Sequence, residues 1–164
     1  MDRSHAERRQ FDLKEATDQI VASLRPVLRK STITVTIDID ESLVLDSYPG
    51  AYGQVLTNLF LNAIAHAYPD HEAGTIEIKV RAAGPNDVEI AFADDGCGMS
   101  PDVRRQAFDP FFTTRRHLGC TGLGLHIVYS VVTDRLGGRL RLDSQPGKGT
   151  QVTILLPRRA PDGK

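Results

Sequence analysis

The 164-residue chain lacks tryptophan, has only two cysteines and is 6% aromatic. Cys97 and Cys120 cannot form the disulfide framework of a small secreted domain, and their spacing matches no zinc pattern. No apolar run approaches the roughly 20 residues of a membrane span, and the N-terminus has no signal-peptide core. The net charge of −1 argues against a general nucleic-acid or membrane binder. We therefore expect a cytoplasmic protein with reduced cysteines and no direct contact with nucleic acid or membrane.

What remains is the composition of an ordinary globular domain, with 40% hydrophobic and 25% charged residues. Residues 1–10 show no periodicity, and we expect them to be disordered or the stub of a preceding helical hairpin. Residues 159–164 are expected to be a flexible tail. The chain between them, residues 11–158, has no internal repeat and no low-complexity linker, so it predicts one domain, monomeric in isolation.

Periodicity predicts three helices and five or six strands. Asp12 can cap the first helix, and Pro49 can open the second. The second half of the chain consists mostly of strands joined by hairpins, which favours antiparallel pairing. This predicts an α/β (α+β) two-layer sandwich, with a mixed, mostly antiparallel five-stranded sheet covered on one face by three helices. The predicted strands are 32–39, 43–45, 75–83, 87–94, 139–144 and 150–157, and the predicted helices are 12–30, 49–66 and 123–136.

The second helix contains the stretch QVLTNLFLNAIAH, residues 54–66. Its apolar residues recur at intervals of three and four, as in a buried helix. Asn58, Asn62 and His66 interrupt it at steps of four, which places them in one stripe along the helix. Asparagine is a poor helix former, so two in register suggest a binding role for the stripe.

Residues 95–124 have no sustained periodicity, and so long a segment inside a domain suggests a function. The segment opens with DDGCGM, where Asp94 follows an apolar strand, and closes with TGLGLHIV at a predicted helix start. Glycines let the backbone approach a ligand closely, and amides at a helix N-terminus favour an anion. One end therefore suits phosphates, and the other offers a carboxylate to an amino group.

In this order the motifs resemble the ATP-binding domain of sensor histidine kinases, in the superfamily shared with gyrase-type topoisomerases and MutL-like repair proteins. QVLTNLFLNAIAH looks like the asparagine box, DDGCGM the first glycine box and AFDPFFTTRR the phenylalanine box. TGLGLHIV looks like the second glycine box, and GKGTQVTILLP the closing hairpin. The resemblance covers nearly the whole chain and implies the family's Bergerat-type ATP-binding fold.

The resemblance also implies a site for ATP and Mg²⁺. Asn62 would coordinate Mg²⁺ with Asn58 assisting, and Arg115 or Arg116 would reach the γ-phosphate. These four make up the predicted catalytic set, and Asp94 would accept a hydrogen bond from the adenine amino group. The full predicted nucleotide-binding set is His66, Asp94, Gly96, Gly98, Phe111, Thr121, Gly122, Leu123, Gly124, Leu125 and Thr150.

Hydrolytic members of the superfamily usually place a glutamate four residues before the metal-binding asparagine, where it can activate water. This chain has Asn58 there, and an amide cannot accept a proton at neutral pH. The resemblance therefore implies a protein-histidine kinase domain whose γ-phosphoryl goes to a histidine on a separate dimerisation domain, with a response regulator downstream. His5-Ala6-Glu7 does not fit the acceptor motif, so we expect no self-phosphorylation.

Two other functions stay open at this point. The domain could be a regulatory module that binds ATP or ADP only to change shape. It could also be a serine-directed kinase like an anti-sigma factor, since those are stand-alone domains of about this length. Cys97 and Cys120 are expected to be small filler residues, with a redox or metal input as the alternative.

Overall fold

The computed structural model describes residues 8–40, 43–66, 73–108 and 125–162. These residues contain seven strands and four helices. The fourth helix continues directly into one π-helical turn, Val131–Arg135. In chain order the elements are β1 Arg9–Asp12, α1 Leu13–Arg29, β2 Ile33–Ile39, β3 Val44–Ser47, α2 Pro49–His66, β4 Gly74–Ala82, β5 Asp87–Asp94, α3 Pro101–Gln106, α4 Leu125–Ser130, β6 Arg139–Ser144 and β7 Thr150–Pro157.

The main sheet has five strands in the order β2-β4-β5-β7-β6. Strand β2 pairs with β4 in parallel, and the other three pairings are antiparallel. Every second residue of the central strands is buried, as in Val88, Ile90 and Phe92 of β5, because alternate side chains point to opposite faces of a sheet. The predicted mixed, mostly antiparallel sheet is confirmed.

Helices α1, α2 and α4 bury apolar residues in the core on one face of this sheet, whereas no residue of α3 is buried. Asp12 caps α1, since its side chain accepts a hydrogen bond of 2.9 Å from the amide of Glu15. The ring of Phe60 on α2 meets that of Phe92 on β5 edge to face, with centroids 5.0 Å apart, a favoured aromatic geometry. This contact sets α2 over the middle of the sheet. None of the helices in the described ranges is long and apolar enough to cross a membrane.

The sequence predicts that residues 1–10 are disordered or the stub of a helical hairpin, but Arg9 and Gln10 belong to strand β1. Strand β1 pairs antiparallel with β3, from Arg9 opposite Ser47 to Asp12 opposite Val44, and forms a second, two-stranded sheet. A four-residue strand has too little alternation to be recognised by period. Residues 1–7 lie outside the described ranges.

The predicted flexible tail is also wrong as far as residue 161. Arg159 forms a parallel bridge with Asp46 of β3. The amide of Ala160 donates to the carbonyl of Asp46 at 2.9 Å. The hydroxyl of Tyr48 donates to the carbonyl of Pro161 at 2.8 Å. The C-terminal segment is therefore held beside β3.

The long middle segment contains a helix that periodicity did not predict. Ser100 caps α3 by accepting from the amide of Val103 at 3.2 Å, and Pro101 occupies the first turn. Six residues are too few for a helical period to show, although the Ser-Pro pair is a recognised start signal. The helix predicted over 123–136 is described from Leu125. Its second half is π-helical, with the amide of Leu136 bonded to the carbonyl of Val131 at 3.0 Å.

Candidate nucleotide-binding site

The asparagine stripe lies along one border of the buried face of α2. Asn58 and Asn62 are half-buried, and each follows a fully buried residue of the helix three positions earlier, Val55 and Leu59. The Oδ1 atom of Asn62 is buried and has no hydrogen-bond partner among the described residues. His66 ends the helix, and its side chain lies outside the described set.

An unpaired buried amide oxygen is costly, by about 1–3 kcal/mol, so it needs a physical reason. A hard cation is one, because Mg²⁺ takes oxygen ligands and is usually bound by one or two protein groups beside substrate phosphates. Asn58 lies one turn earlier on the same face of α2. The residues present therefore fit the predicted metal, for which Asn62 would be the ligand and Asn58 would lie beside it.

Asp94 ends the inward-facing row of β5, after three buried apolar residues at alternate positions. Its Oδ1 accepts a hydrogen bond of 2.9 Å from the amide of Gly96. Burial raises the pKa of Asp94 above its ordinary value, although hydrogen bonds from the amides of Gly96 and Thr150 act the other way. The negative charge of Asp95 adds to the rise. A carboxylate has about four acceptor positions, and among the described residues these two amides use only two.

Two more polar residues continue this row across the neighbouring strands. Thr150 of β7 is directly opposite Asp94, and Ser144 of β6 is directly opposite Thr150. Cross-strand partners share a face of the sheet, so the three side chains lie side by side where apolar residues stand one step further along. Their exposures differ, because Ser144 is only 7% exposed while Asp94 and Thr150 are half-buried. We call Asp94, Thr150 and Ser144 the polar row.

Ser144 ties the loop after Asp94 to the β6–β7 hairpin. Its Oγ accepts from the amide of Met99 at 2.8 Å, donates to the carbonyl of Gly149 at 3.0 Å and lies 2.8 Å from the Oγ1 of Thr150. The amide of Gly147 also donates to the carbonyl of Cys97 at 2.7 Å. Two of these hydrogen bonds, at Cys97 and Met99, thus fix the loop relative to the hairpin, and the other two hold Ser144 within the hairpin itself.

Two glycines make this close approach of loop and hairpin feasible. Gly98 has φ +71° and Gly149 has φ +83°, in the left-handed region that other residues rarely adopt. A Cβ at Gly98 would overlap the carbonyl of Gln145, and one at Gly149 would overlap the carbonyl of Asp94. The first glycine box therefore serves here to pack backbone against backbone, and its predicted contact with a base stays a prediction.

The composition predicts reduced cysteines, whereas Cys97 is disulfide-bonded in the structure. Cys120, the other cysteine of the chain, lies outside the described residues.

A cavity of about 350 Å³ opens beside the polar row. Asp94, Ser144 and Thr150 contribute to its wall together with the cationic side chains of Arg104 and Lys148. Arg104 also donates to the carbonyl of Ser144 at 3.3 Å, which links α3 to the end of β6. The acidic Asp143 also lines the cavity, so the polar row borders open space with charges of both signs at its edge.

Most of the predicted phosphate end falls outside the described residues, so those assignments stay predictions. Leu125 opens α4 with its side chain in the core, 1% exposed, so only its backbone could serve a ligand. Phe108 of the phenylalanine box packs on Tyr129 of α4, with ring centroids 5.5 Å apart. The residues outside are Phe111, Arg115, Arg116, Thr121, Gly122, Leu123 and Gly124.

The sequence reasoning missed Ser144, and a signal for it exists. Leu140, Leu142 and Ser144 share one face of β6, and a buried polar residue at an inward position is expected to be hydrogen-bonded for a reason. The same alternation identifies Asp94 and Thr150 as polar ends of apolar rows.

The fold thus places a row of polar side chains at one sheet end and an unpaired amide oxygen on the covering helix, an arrangement that suits a polar ligand. The comparisons with known proteins give its family. The chain belongs to the family described as histidine kinase-, DNA gyrase B-, and HSP90-like ATPase, whose model matches residues 48–160.

Its relatives and structural neighbours include histidine kinases. The sensor histidine kinase ZraS of Klebsiella oxytoca is 32% identical over 155 residues, which are 94% of this chain and 32% of that protein. The catalytic domain of histidine kinase ThkA superposes with a TM-score of 0.80 at 26% identity, covering 93% of this chain and 97% of that one. ThkA in complex with the response regulator protein TrrA has the same fold, with a TM-score of 0.75 at 24% identity over 92% of this chain and 42% of that one.

These findings confirm the resemblance to the catalytic, ATP-binding domain of sensor histidine kinases. The chain spans about a third of the length of the ZraS protein that it matches.

Proposed function

We propose that this domain binds ATP with Mg²⁺ and donates the γ-phosphoryl group to a histidine on a separate dimerisation domain in two-component signalling. Membership of the ATPase family supports ATP binding. The observation that carries the transfer half is the chemistry of α2. One turn before Asn62 stands Asn58, and none of the 18 residues of α2 is acidic.

Hydrolysis requires a base to activate water, and a neutral amide cannot take that proton. With an amide at the position where hydrolytic members keep a glutamate, α2 supplies no carboxylate base there, which favours holding the nucleotide for transfer. Phosphoryl transfer depends mainly on positioning and on charge neutralisation. The nucleophile must then come from outside this helix, which fits a histidine on another domain.

The polar row would hold the base and α2 the phosphate end. Asp94 would accept a hydrogen bond from the adenine amino group, and Thr150 lies beside it in the same row. Asn62 would hold Mg²⁺ with Asn58 assisting, and a bound metal would neutralise phosphate charge there. Arg115 or Arg116 would add positive charge at the γ-phosphate.

The partners follow from the proposed reaction. The dimerisation domain supplies the acceptor histidine, and a response regulator takes the phosphoryl group next. Support for the regulator comes from the ThkA–TrrA complex, in which a protein of the same fold is seen with a response regulator. We place the reaction in the cytoplasm, where ATP is available.

The test is phosphoryl transfer in trans. The chain would be mixed with its matching histidine-containing dimerisation domain and γ-labelled ATP, and we expect acid-labile label on that domain and none on the chain. The control is a dimerisation domain whose acceptor histidine is replaced by glutamine, which should stay unlabelled. Tight ATP binding without transfer would instead favour a regulatory module, and acid-stable label on serine would favour an anti-sigma-like kinase.

A further inference from the structure

The direction in which the Ser144 and Thr150 hydroxyls donate follows from counting the donors and acceptors around them. Ser144 has one hydrogen to donate and two lone pairs. Three groups surround its Oγ: the amide of Met99, the carbonyl of Gly149 and the hydroxyl of Thr150. The amide can only donate and the carbonyl can only accept, so only the Ser144–Thr150 contact could run in either direction.

If the Ser144 hydrogen goes to the carbonyl of Gly149, as the 3.0 Å distance allows, the Thr150 hydroxyl must donate to Ser144. All three contacts are then made, with both lone pairs of Ser144 filled. In the opposite arrangement Ser144 donates to Thr150, and the contact with the Gly149 carbonyl is lost. Buried polar groups are nearly always paired, and Ser144 is 7% exposed, so the first arrangement is favoured.

The consequence lies at Thr150. With its hydrogen committed to Ser144, its Oγ1 has only lone pairs left for a ligand. The neighbouring Asp94 is likewise an acceptor when ionised, and both residues are half-buried at the same sheet end. The two side chains together then offer acceptors and no hydrogen.

We infer that Ser144 is a positioning residue that makes the Asp94–Thr150 pair acceptor-only, and thereby selects a purine with an amino group at position 6 over one with a carbonyl. The inference rests on the proposed function, because it concerns the base of the same nucleotide. An amino group donates to two acceptors, whereas a carbonyl would be a third acceptor facing the two half-buried ones, with no hydrogen between them.

The experiment compares Mg-ATP with Mg-ITP, in which a carbonyl replaces the amino group at position 6 of the purine and N1 carries a hydrogen. Binding of both would be measured by calorimetry for the parent and for Ser144→Ala, Thr150→Val and the double variant. In Ser144→Ala the Thr150 hydroxyl is free to turn and donate, so the ATP preference should fall by about 10-fold, with ITP gaining relative to ATP.

The double variant tests whether Ser144 changes the ATP preference through Thr150. If Ser144 acts through Thr150, adding Ser144→Ala to Thr150→Val should change the ATP/ITP ratio no further. A Ser144→Thr variant keeps a hydroxyl and should retain the parent ratio. The matched control is Ser23→Ala, which removes an exposed hydroxyl bonded to a carbonyl of α1 and should change neither affinity.

The outcomes separate this inference from the proposed function. A parent chain that binds neither nucleotide would refute both. A parent that binds ATP and ITP equally, or a Ser144→Ala variant that weakens both by the same factor, would overturn the inference and leave ATP binding standing. A Ser144→Ala effect that persists in the Thr150→Val background would also overturn it.

Discussion

Replacing Asp94 with asparagine should move nucleotide affinity and stability in opposite directions. An asparagine oxygen can still accept from the amide of Gly96, which bonds Oδ1 at 2.9 Å in the parent. The second oxygen becomes an NH2 group, which meets the amino group of adenine donor to donor. A hydrogen bond to a charged group contributes about 1.5–3 kcal/mol, so we expect ATP affinity to fall by about 10- to 100-fold.

Stability without nucleotide should change with the opposite sign. A carboxyl whose pKa is raised on folding stabilises the folded state only while it is protonated, and this contribution is lost as the pH rises through the folded pKa. Burial raises the pKa of Asp94, so at neutral pH its ionised form lowers the stability of the folded domain. The amide introduced by Asp94→Asn carries no such charge, and the variant should therefore unfold at a higher temperature than the parent.

Thermal unfolding with and without Mg-ATP measures both effects in one assay. The variant should start from a higher midpoint and gain less from nucleotide, because bound ligand stabilises only through its affinity. The difference in stability between variant and parent should shrink as the pH falls toward the unfolded carboxyl pKa of about 3.9. A variant that binds ATP as tightly as the parent would refute the assignment of Asp94, and a lower midpoint at neutral pH would refute the burial argument.

Three further substitutions test separate parts of the structure. Gly98→Ala should destabilise the fold more than Gly84→Ala in urea unfolding, since both have positive φ but a Cβ at Gly84 meets open space; the control should cost about 1–2 kcal/mol. Asn62→Ala should lower ATP affinity with Mg²⁺ by at least about 10-fold, because even residues that only support a metal ligand contribute that much. The affinity in EDTA should not change, and an equal loss there would contradict a metal role. Tyr52→Phe strands the buried Thr17 hydroxyl that lies 2.6 Å from it, so it should cost about 1–3 kcal/mol of unfolding free energy; an unchanged midpoint in urea would contradict this.

The regular part of the fold could be predicted because each long element has one dominant period. The strands 139–144 and 150–157 agree with β6 and β7, since leucine alternates with polar residues in β6 and β7 has valine, isoleucine and leucine at its inward positions. The helix α2 agrees at its Pro49 start. Short elements were missed for the opposite reason. Strand β1 and helix α3 have four and six residues, which is too few for a period to show. Strand pairing holds the first in place, and a helix cap the second.

The candidate site also has a part that could be predicted from local sequence and a part that could not. Asp94 and Asn62 could be singled out because a polar residue stands where the period calls for an apolar one. The contact of Ser144 with Met99 could not, because it joins a strand end to a loop 45 residues earlier in the sequence. Nothing local in the sequence states which backbone amide a buried hydroxyl will meet.

The polar row also shows why its end of the sheet suits binding rather than packing. One step further into the core, Phe92 and Val152 fill the equivalent positions of β5 and β7 with apolar side chains, and the sheet gains burial without polar cost. At the row itself the sheet keeps a carboxylate whose burial is unfavourable, as the raised pKa of Asp94 indicates. The buried Ser144 finds partners within the protein, whereas the half-buried Asp94 keeps acceptor capacity beyond its two backbone amides. The buried end of the row is hydrogen-bonded within the protein, whereas its half-buried end offers a carboxylate to a ligand with a hydrogen to donate, such as an amino group.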